Sequence, residues 1–414
     1  MSPPDALPCG ASGPGDSTWR QQIGRALDSI PPERRRALRA FQARAGCGSA
    51  GNAPVLEPSP GGDPLLDLAS NDYLGLSRHP EVVAAACAQI AAQGLGAGAS
   101  RLVSGTRPIH LRLEEDLAAW LGRERVLLFP SGFQANIAAV GALADRHTLV
   151  FADRFIHHSL LAGVRVSGAR LRRFSHNGPH DLDQRLHRAR RDQPGRRLLV
   201  LSESLFSMEG SSPDVAALAA ISERHGALLL MDEAHALGVL GPEGRGLAHG
   251  ISGVQMVSGT FGKALGSGGA FLATDALLGE WLLQSSGAFR YTTALAPPLA
   301  AGAQAALQWV RGHPGAGEML LRRAMGWREG LAVAGWPRPP GQGPILSLRV
   351  GGDRAAVTLQ RQLEKAGLLS LAIRPPTVPE GTSRLRLVLR QDLPTGTLER
   401  LLKALGPAPD DAVR

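Results

Sequence analysis

Three short windows carry residue types whose chemistry stands out from the rest of the chain. In Val257-Ser-Gly-Thr-Phe-Gly-Lys263-Ala-Leu-Gly-Ser-Gly-Gly269 a lysine sits among small residues directly after an apolar run. Only three of the 45 basic residues are lysine, at 263, 365 and 403, and the last two fall in amphipathic C-terminal patterns where solvated lysines are ordinary. Where arginine takes almost every basic role, a retained lysine points to something a guanidinium cannot do, namely Schiff-base formation by an amine. A surface lysine in a glycine-rich loop is the alternative. In Leu228-Leu-Leu-Met-Asp232-Glu-Ala-His235 an acid stands at the C-terminal end of an apolar run. Ligands of open α/β sheets bind at such ends. A carboxylate there can keep a pyridine nitrogen protonated and so make the ring an electron sink, although capping a helix is the plainer role for a lone aspartate. His235 is spaced to hydrogen-bond a bound ring or Asp232.

The letters DEAH also occur in nucleic-acid helicases, which require a phosphate loop G-x-x-x-x-G-K-[ST]. The only Gly-Lys pair here is Gly262-Lys263, followed by Ala264 and preceded at the first glycine position by Val257, so the helicase reading fails. The third window is Phe129-Pro-Ser-Gly-Phe-Gln-Ala-Asn136, an apolar strand end leading through a tight turn into a helical pattern. Backbone N–H groups at such a helix start bind phosphate, which makes Ser131–Phe133 the candidate phosphate cradle. His157 follows another strand-like run, where an imidazole can stack on an aromatic cofactor or simply be a polar loop residue. The stretch Gly94-Leu-Gly-Ala-Gly-Ala-Ser-Arg101 lacks a preceding strand and is no dinucleotide fingerprint; it indicates a flexible or closely packed backbone.

Elements that would position these residues are legible from the hydrophobic pattern. Apolar runs at 126–129, 149–152, 198–201, 227–231, 256–258 and 270–273 read as strands. They alternate with helical patterns at 110–121, 133–143, 215–225 and 277–283. That alternation predicts an α/β fold with a mostly parallel sheet flanked by helices. Residues 19–45 carry apolar and arginine positions at helical spacing and end at Gly46 and Gly48, while residues 1–17, rich in Pro and Gly, read as a disordered tail. After a break at 335–344, strand patterns at 345–350 and 385–389 and helical ones at 355–366 and 398–405 predict a smaller α+β domain. The expected organisation is an N-terminal tail and arm over 1–64, a large domain over 65–296 and a small domain over 297–414.

Composition narrows the class. The chain has 414 residues, 43% apolar and 20% charged, which fits a soluble protein with more than one packed unit. No apolar stretch reaches the length of a membrane span, and the N-terminus has no secretory signal pattern. The three cysteines, Cys9, Cys47 and Cys87, fit no metal spacing and indicate a reducing, cytoplasmic compartment. The net charge of +9 comes from scattered arginines interrupted by carboxylates, with RRRALR at 34–39 the densest run. It reads as compositional bias rather than a nucleic-acid footprint, and it also suits an acidic substrate such as a coenzyme A ester.

Taken in order, the windows resemble the α-oxoamine synthase family. The matching stretches are SNDYLGL (70–76), GASRLVSGT (98–106), FPSGFQANIA (129–138), ESLFSMEG (203–210), DEAHALGVLGPEGRG (232–246), GTFGKALGS (259–267), RYTTALAPP (290–298) and IRPPTVPEGTSRLRL (373–387). The departures, Ala236 and Ala99 where the family commonly has glycine, lie outside the chemistry. The resemblance implies a type I pyridoxal-phosphate-dependent transferase fold, a homodimer, and pyridoxal 5′-phosphate as cofactor. It implies that Lys263 carries the cofactor, that Asp232 pairs with the pyridine nitrogen, that His235 contacts the ring hydroxyl side and that His157 stacks on the ring. Gly132, Phe133, Ser207 and Thr260 would surround the cofactor, with Thr292 and Thr293 reaching the phosphate in the partner subunit. Arg374 would hold the amino-acid carboxylate beside Thr377, with Arg39 and Asn71 near the substrate. The 373–387 segment points within the family to the biotin-pathway reaction, in which L-alanine condenses with pimeloyl-CoA or pimeloyl-acyl carrier protein and loses CO2. Glycine or serine with another acyl-CoA is the alternative. Neither nucleic acid nor membrane is an expected partner.

Overall fold

The computed structural model describes residues 16–44 and 53–409. Cys9, Cys47 and residues 1–15 of the tail expected over 1–17 lie outside the described residues. A seven-stranded sheet runs in the order Arg125–Phe129, Ala270–Thr274, Met256–Thr260, Leu228–Asp232, Arg197–Glu203, Thr148–Asp153 and Arg170–Phe174. Only Ala270–Thr274 is antiparallel to its neighbours; the other pairings are parallel. Parallel strands are covered on both faces, which is why the central ones read as unbroken apolar runs. Side chains alternate between two cores: Leu198, Val200, Leu229 and Met231 fill one, Leu199, Leu201 and Leu230 the other. The register sets Glu203 opposite Asp232 and Asp232 opposite Ser258, so the polar residues that end these runs form one row at the carboxyl edge.

Helix starts follow local chemistry. Proline opens Pro80–Gln93, Pro108–Leu121, Pro179–Asp192 and Pro297–Gly312, where its missing N–H costs nothing. Ser131 caps Gly132–Leu143, its hydroxyl accepting from Gln134 N at 3.3 Å. The strand Arg170–Phe174, whose three arginines hide its alternation, was not among the expected elements; it is the exposed sheet edge, a place where charged side chains discourage edge pairing.

The N-terminal arm corrects the helical expectation for 19–45. A helix spans Asp16–Asp28, reaching into the expected tail, and Pro31 and Pro32 end it, because a proline bars helix in the residue before it. After a short 3-10 turn at Pro32–Arg34 the chain becomes the strand Ala40–Arg44, antiparallel to Val55–Ser59. Leu65–Asp67 joins this sheet and pairs in parallel with Leu368–Leu369, so the arm and the C-terminal region share one sheet. A three-stranded antiparallel sheet, Ile345–Gly351, Ser383–Val388 and Leu371–Ile373, completes the C-terminal part. The helix Pro297–Gly312 packs on Pro80–Gln93 and Pro108–Leu121. Among the described residues no helix is long and apolar enough to cross a membrane.

Arg390 locks these parts together. It lies 3.3 Å from Asp67, 3.1 Å from Asp72 and 2.8 Å from Asp392, with only 8% of its side chain exposed. Removing one partner of a buried ionic cluster leaves the rest uncompensated, at a cost of about 3–5 kcal/mol. We expect Arg390→Leu to lower the urea midpoint by an amount equivalent to roughly 3 kcal/mol; an unchanged midpoint would show the cluster to be energetically neutral.

Candidate active site

At the carboxyl edge of the sheet a cavity of about 220 Å³ collects seven of the residues singled out from the sequence: Gly132, Phe133, His157, Asp232, His235, Thr260 and Lys263. Each arrives by a simple route. Asp232 is the last residue of its strand, and Thr260 the last of the next one over. Lys263 follows three residues on, in the turn closed by Phe261 N to Gly269 O at 2.9 Å and Ser267 N to Phe261 O at 2.9 Å. Gly132 and Phe133 open the helix whose first N–H groups have no acceptor within the helix. His157 caps the helix His158–Ser167, and its backbone N–H donates to Glu203 Oε1 at 2.5 Å.

Asp232 is the best-held group. One carboxylate oxygen accepts from Asn136 Nδ2 at 2.7 Å and the other from Ala234 N at 2.9 Å. Asn136 also donates to Ser159 Oγ at 2.9 Å, which ties the phosphate-cradle helix to the helix behind His157. Burial pushes the Lys263 amine down to about 8, against the opposing pull of Asp232 and Glu203. Burial likewise pushes Glu203 well up, with the neighbouring Asp232 adding to it. The imidazole of His157 is lowered by burial, and that of His235 is lowered strongly by burial with Lys263 and Arg386 nearby. The next residue, Glu233, is pushed up to about 7 by burial and spends its oxygens on Ser204 Oγ, Leu247 N and Ala248 N, holding the 245–248 loop rather than facing the cavity.

The remaining predicted residues lie elsewhere. Ser207 meets the Arg386 guanidinium through its carbonyl at 2.6 Å, and Asn71 accepts from the same arginine at 2.8 Å. Thr292 and Thr293 follow the helix Gly287–Arg290, with Thr293 bridged to Ser100. Arg39, Arg374 and Thr377 lie along the seam between arm and C-terminal part. Arg39 pairs with Glu364 at 2.6 Å, Arg374 donates to the Glu33 carbonyl, and Thr377 accepts from Arg36 at 2.9 Å. A larger cavity of about 470 Å³, between the Arg101–Glu114 pair and Phe289, contains none of these residues.

Sequence reasoning missed Asn136, Glu203, Ala234 and Ser258 in the cavity wall. Glu203 carries the very signal that marked Asp232, an acid ending an apolar run. Asn136 lies four residues after Gly132 and therefore on the same helix face.

The Lys263 shift makes a prediction. In cofactor-free protein, acylation of Lys263 followed by peptide mapping is expected to have a half-point near pH 8. Asp232 raises the amine's pKa, so Asp232→Asn moves that half-point lower. Glu203→Gln moves it less, because a carboxyl whose own pKa is raised carries less charge near neutrality. A half-point at the ordinary lysine value of 10.5 would contradict the burial of the amine.

Comparison with known proteins places this geometry. Residues 63–405 match the family model described as aminotransferase class I and II. The 8-amino-7-oxononanoate synthase of Klebsiella pneumoniae is 41% identical over 392 residues, covering 94% of this chain and 98% of that protein. That of Gluconacetobacter diazotrophicus is 42% identical over 360 residues, covering 85% and 89%. Among solved structures, a serine palmitoyltransferase with pyridoxal phosphate as internal aldimine has a TM-score of 0.82 at 25% identity, covering 95% of this chain and 96% of that one. An 8-amino-7-oxononanoate synthase from Francisella tularensis has a TM-score of 0.70 at 26% identity, covering 82% and 96%.

Proposed function

The chain belongs to the aminotransferase class I and II family, in its 8-amino-7-oxononanoate synthase branch, and on that footing we propose that it condenses L-alanine with a pimeloyl thioester. The products are 8-amino-7-oxononanoate, CO2 and the free thiol carrier, a step of biotin synthesis. The cofactor is pyridoxal 5′-phosphate. The observation that carries the reading is the meeting of Lys263 and Asp232 in one cavity, with Asp232 fixed by two donors.

The donor set suits the cofactor: a buried amine able to lose its proton near pH 8, a carboxylate at the strand end, and a helix start with free N–H groups. When bound, the cofactor supplies a ring that spreads negative charge away from the α-carbon of an attached amino acid. Lys263 would hold the cofactor's aldehyde, and its free amine would take the Cα proton of the amino acid. Asp232 holds a proton on the ring nitrogen, and Asn136 keeps that carboxylate aimed. Gly132 and Phe133 receive the phosphate through their N–H groups, with Ser207 and Thr260 around the cofactor. His157 would stack on the ring face, and His235 would contact the ring hydroxyl side. Arg374 would receive the amino-acid carboxylate with Thr377 beside it, and Arg39 and Asn71 would lie near the substrate. Two copies of the chain pair so that Thr292 and Thr293 of each complete the phosphate site of the other.

Product mass tests the assignment. Purified protein with L-alanine and pimeloyl-CoA is expected to form 8-amino-7-oxononanoate, and to outpace glycine or serine paired with acetyl-CoA or palmitoyl-CoA. A preference for one of those pairs would transfer the chain to another member of the family. Lys263→Ala is expected to abolish both turnover and the cofactor's visible absorbance band. Asp232→Asn is expected to keep the fold and to slow exchange of the alanine Cα proton by roughly 10²–10⁴-fold; exchange at the wild-type rate would remove Asp232 from the chemistry.

A further inference from the structure

Two strands out from Asp232, on the same carboxyl edge, another strand ends in an acid. Asp153 closes Thr148–Asp153 and is fully buried. Backbone donors hold both of its oxygens: Oδ1 accepts from Phe155 N at 2.9 Å and Oδ2 from Asn177 N at 2.8 Å. Nδ1 of His176 lies 3.0 and 3.2 Å from the same two oxygens, and its Nε2 lies 2.7 Å from Ser211 Oγ. None of these three residues lines the cavity that holds Lys263, and the condensation proposed above makes no use of them.

Hydrogen-bond directions follow from the groups themselves. A carboxylate only accepts, so the imidazole carries hydrogen on Nδ1. In the neutral ring Nε2 is then an acceptor, and the Ser211 hydroxyl donates to it. A serine bonded to an imidazole whose other nitrogen is held by a buried carboxylate is the arrangement that makes a hydroxyl nucleophilic. The ring is also fixed in place, with Phe155 and Phe206 packed on it at centroid distances of 4.8 and 4.4 Å. Asn177 takes a left-handed backbone, φ 50, which asparagine tolerates. Its Nδ2 donates to the Ser212 carbonyl at 3.2 Å, tying the residue after Ser211 to the turn that holds Asp153. The Ser212 hydroxyl is buried and has no hydrogen-bond partner among the described residues. It is a donor free to meet an oxygen that gains negative charge beside Ser211. His176 and Ser211 are both partly exposed.

We propose that Asp153, His176 and Ser211 form a second nucleophilic site, which hydrolyses small carboxylic esters. Ser211 Oγ bonds to the ester carbonyl carbon while its proton passes to His176 Nε2. The carbon–oxygen bond to the alcohol breaks, and the alcohol leaves with that proton. Water then attacks the acyl carbon and gives a proton to Nε2. The acid departs as Ser211 recovers that proton. Asp153 orients the ring throughout and faces the positive charge that the ring gains. The apolar rings of Phe155 and Phe206 beside His176 suit a short aliphatic acyl group.

A fluorophosphonate probe reads this chemistry, because it phosphonylates activated serines and leaves ordinary ones untouched. Full-length protein is expected to take up the probe at Ser211, located by peptide mapping, and to hydrolyse p-nitrophenyl butyrate with turnover. Ser211→Ala is expected to lose the label and to slow ester turnover by roughly 10²–10⁴-fold, and His176→Gln to slow labelling of Ser211 by a similar factor. Absence of label at Ser211 in folded wild-type protein overturns the proposal. So does ester turnover at the wild-type rate in Ser211→Ala, or labelling at the wild-type rate in folded His176→Gln, since a serine that only tethers its loop needs no base. If His176→Gln does not fold, wild type and Ser211→Ala decide the matter. A protein that fails to condense L-alanine with pimeloyl-CoA counts against the function proposed above and leaves the labelling result standing.

Discussion

An amine and two acids share the carboxyl edge of the central sheet, and the site depends on how they restrain one another. Lys263 loses solvation in the cavity and is driven toward its neutral form, while Asp232 and Glu203 oppose that drift. Strand register sets Glu203 beside Asp232, and like charges at such range resist joint ionisation. The asymmetry between them is built by hydrogen bonds. Asp232 receives Asn136 Nδ2 and Ala234 N, whereas among the described residues Glu203 receives only the His157 backbone N–H and is buried at 3% exposure. The edge therefore offers a buried carboxylate held by two donors at one strand end and, one strand over, a carboxyl that burial drives toward its neutral form. In the function proposed above, Asp232 is the carboxylate that would meet the ring nitrogen.

The C-terminal sheet reaches this edge through arginines on one strand. Arg384 and Arg386 are two residues apart and so share a face. Arg384 donates to the Met208 carbonyl at 3.3 Å and pairs with Glu209 at 3.3 Å, while Arg386 takes the Ser207 carbonyl. The loop after Glu203 is thus gripped from the C-terminal side at consecutive carbonyls. From the other side His176, itself bound to Asp153, reaches Ser211 Oγ at 2.7 Å. A fork of five donors can grip several carbonyls at once where an ammonium cannot do so in fixed geometry. Arg328 shows the same use, fully buried and donating to the carbonyls of Ala324, Pro340, Gly343 and Ile345.

The sheet and the meeting of Asp232 and Lys263 in one cavity were legible in the sequence for a definite reason. Apolar runs ending in Asp232 and Thr260 announce their own geometry, since a parallel strand delivers its last residue to the carboxyl edge. The edge strand Arg170–Phe174 was not legible, because exposed arginines erase the alternation on which strand reading depends. The arm misled because arginine and apolar spacing within 19–45 continues across Pro31 and Pro32, and only the proline chemistry separates helix from strand. Residues that act through a partner were harder still. Asn136 means little until Asp232 is beside it, and Asn71 and Arg386, 315 positions apart in the chain, meet only through tertiary packing. No local pattern encodes such a contact.

The scarcity of lysine acquires a physical meaning in this setting. An aldehyde cofactor reacts with any accessible neutral amine, and selectivity depends on how many there are and on how readily each sheds its proton. Structural cation work in this chain is done by arginine, at 328, 384, 386 and 390 in the interior and along the arm at 34 and 39. A guanidinium is inert to aldehydes under these conditions and keeps its charge when buried. The two other lysines, Lys365 and Lys403, are exposed on C-terminal helices, away from the cavity. Burial lowers the pKa of the Lys263 amine, and it stands where the sheet edge, the helix start at Gly132 and the Asp232 carboxylate converge. Arginine's dominance of the composition thus bears on chemical selectivity as well as packing, because it holds the fold together without offering competing nucleophiles.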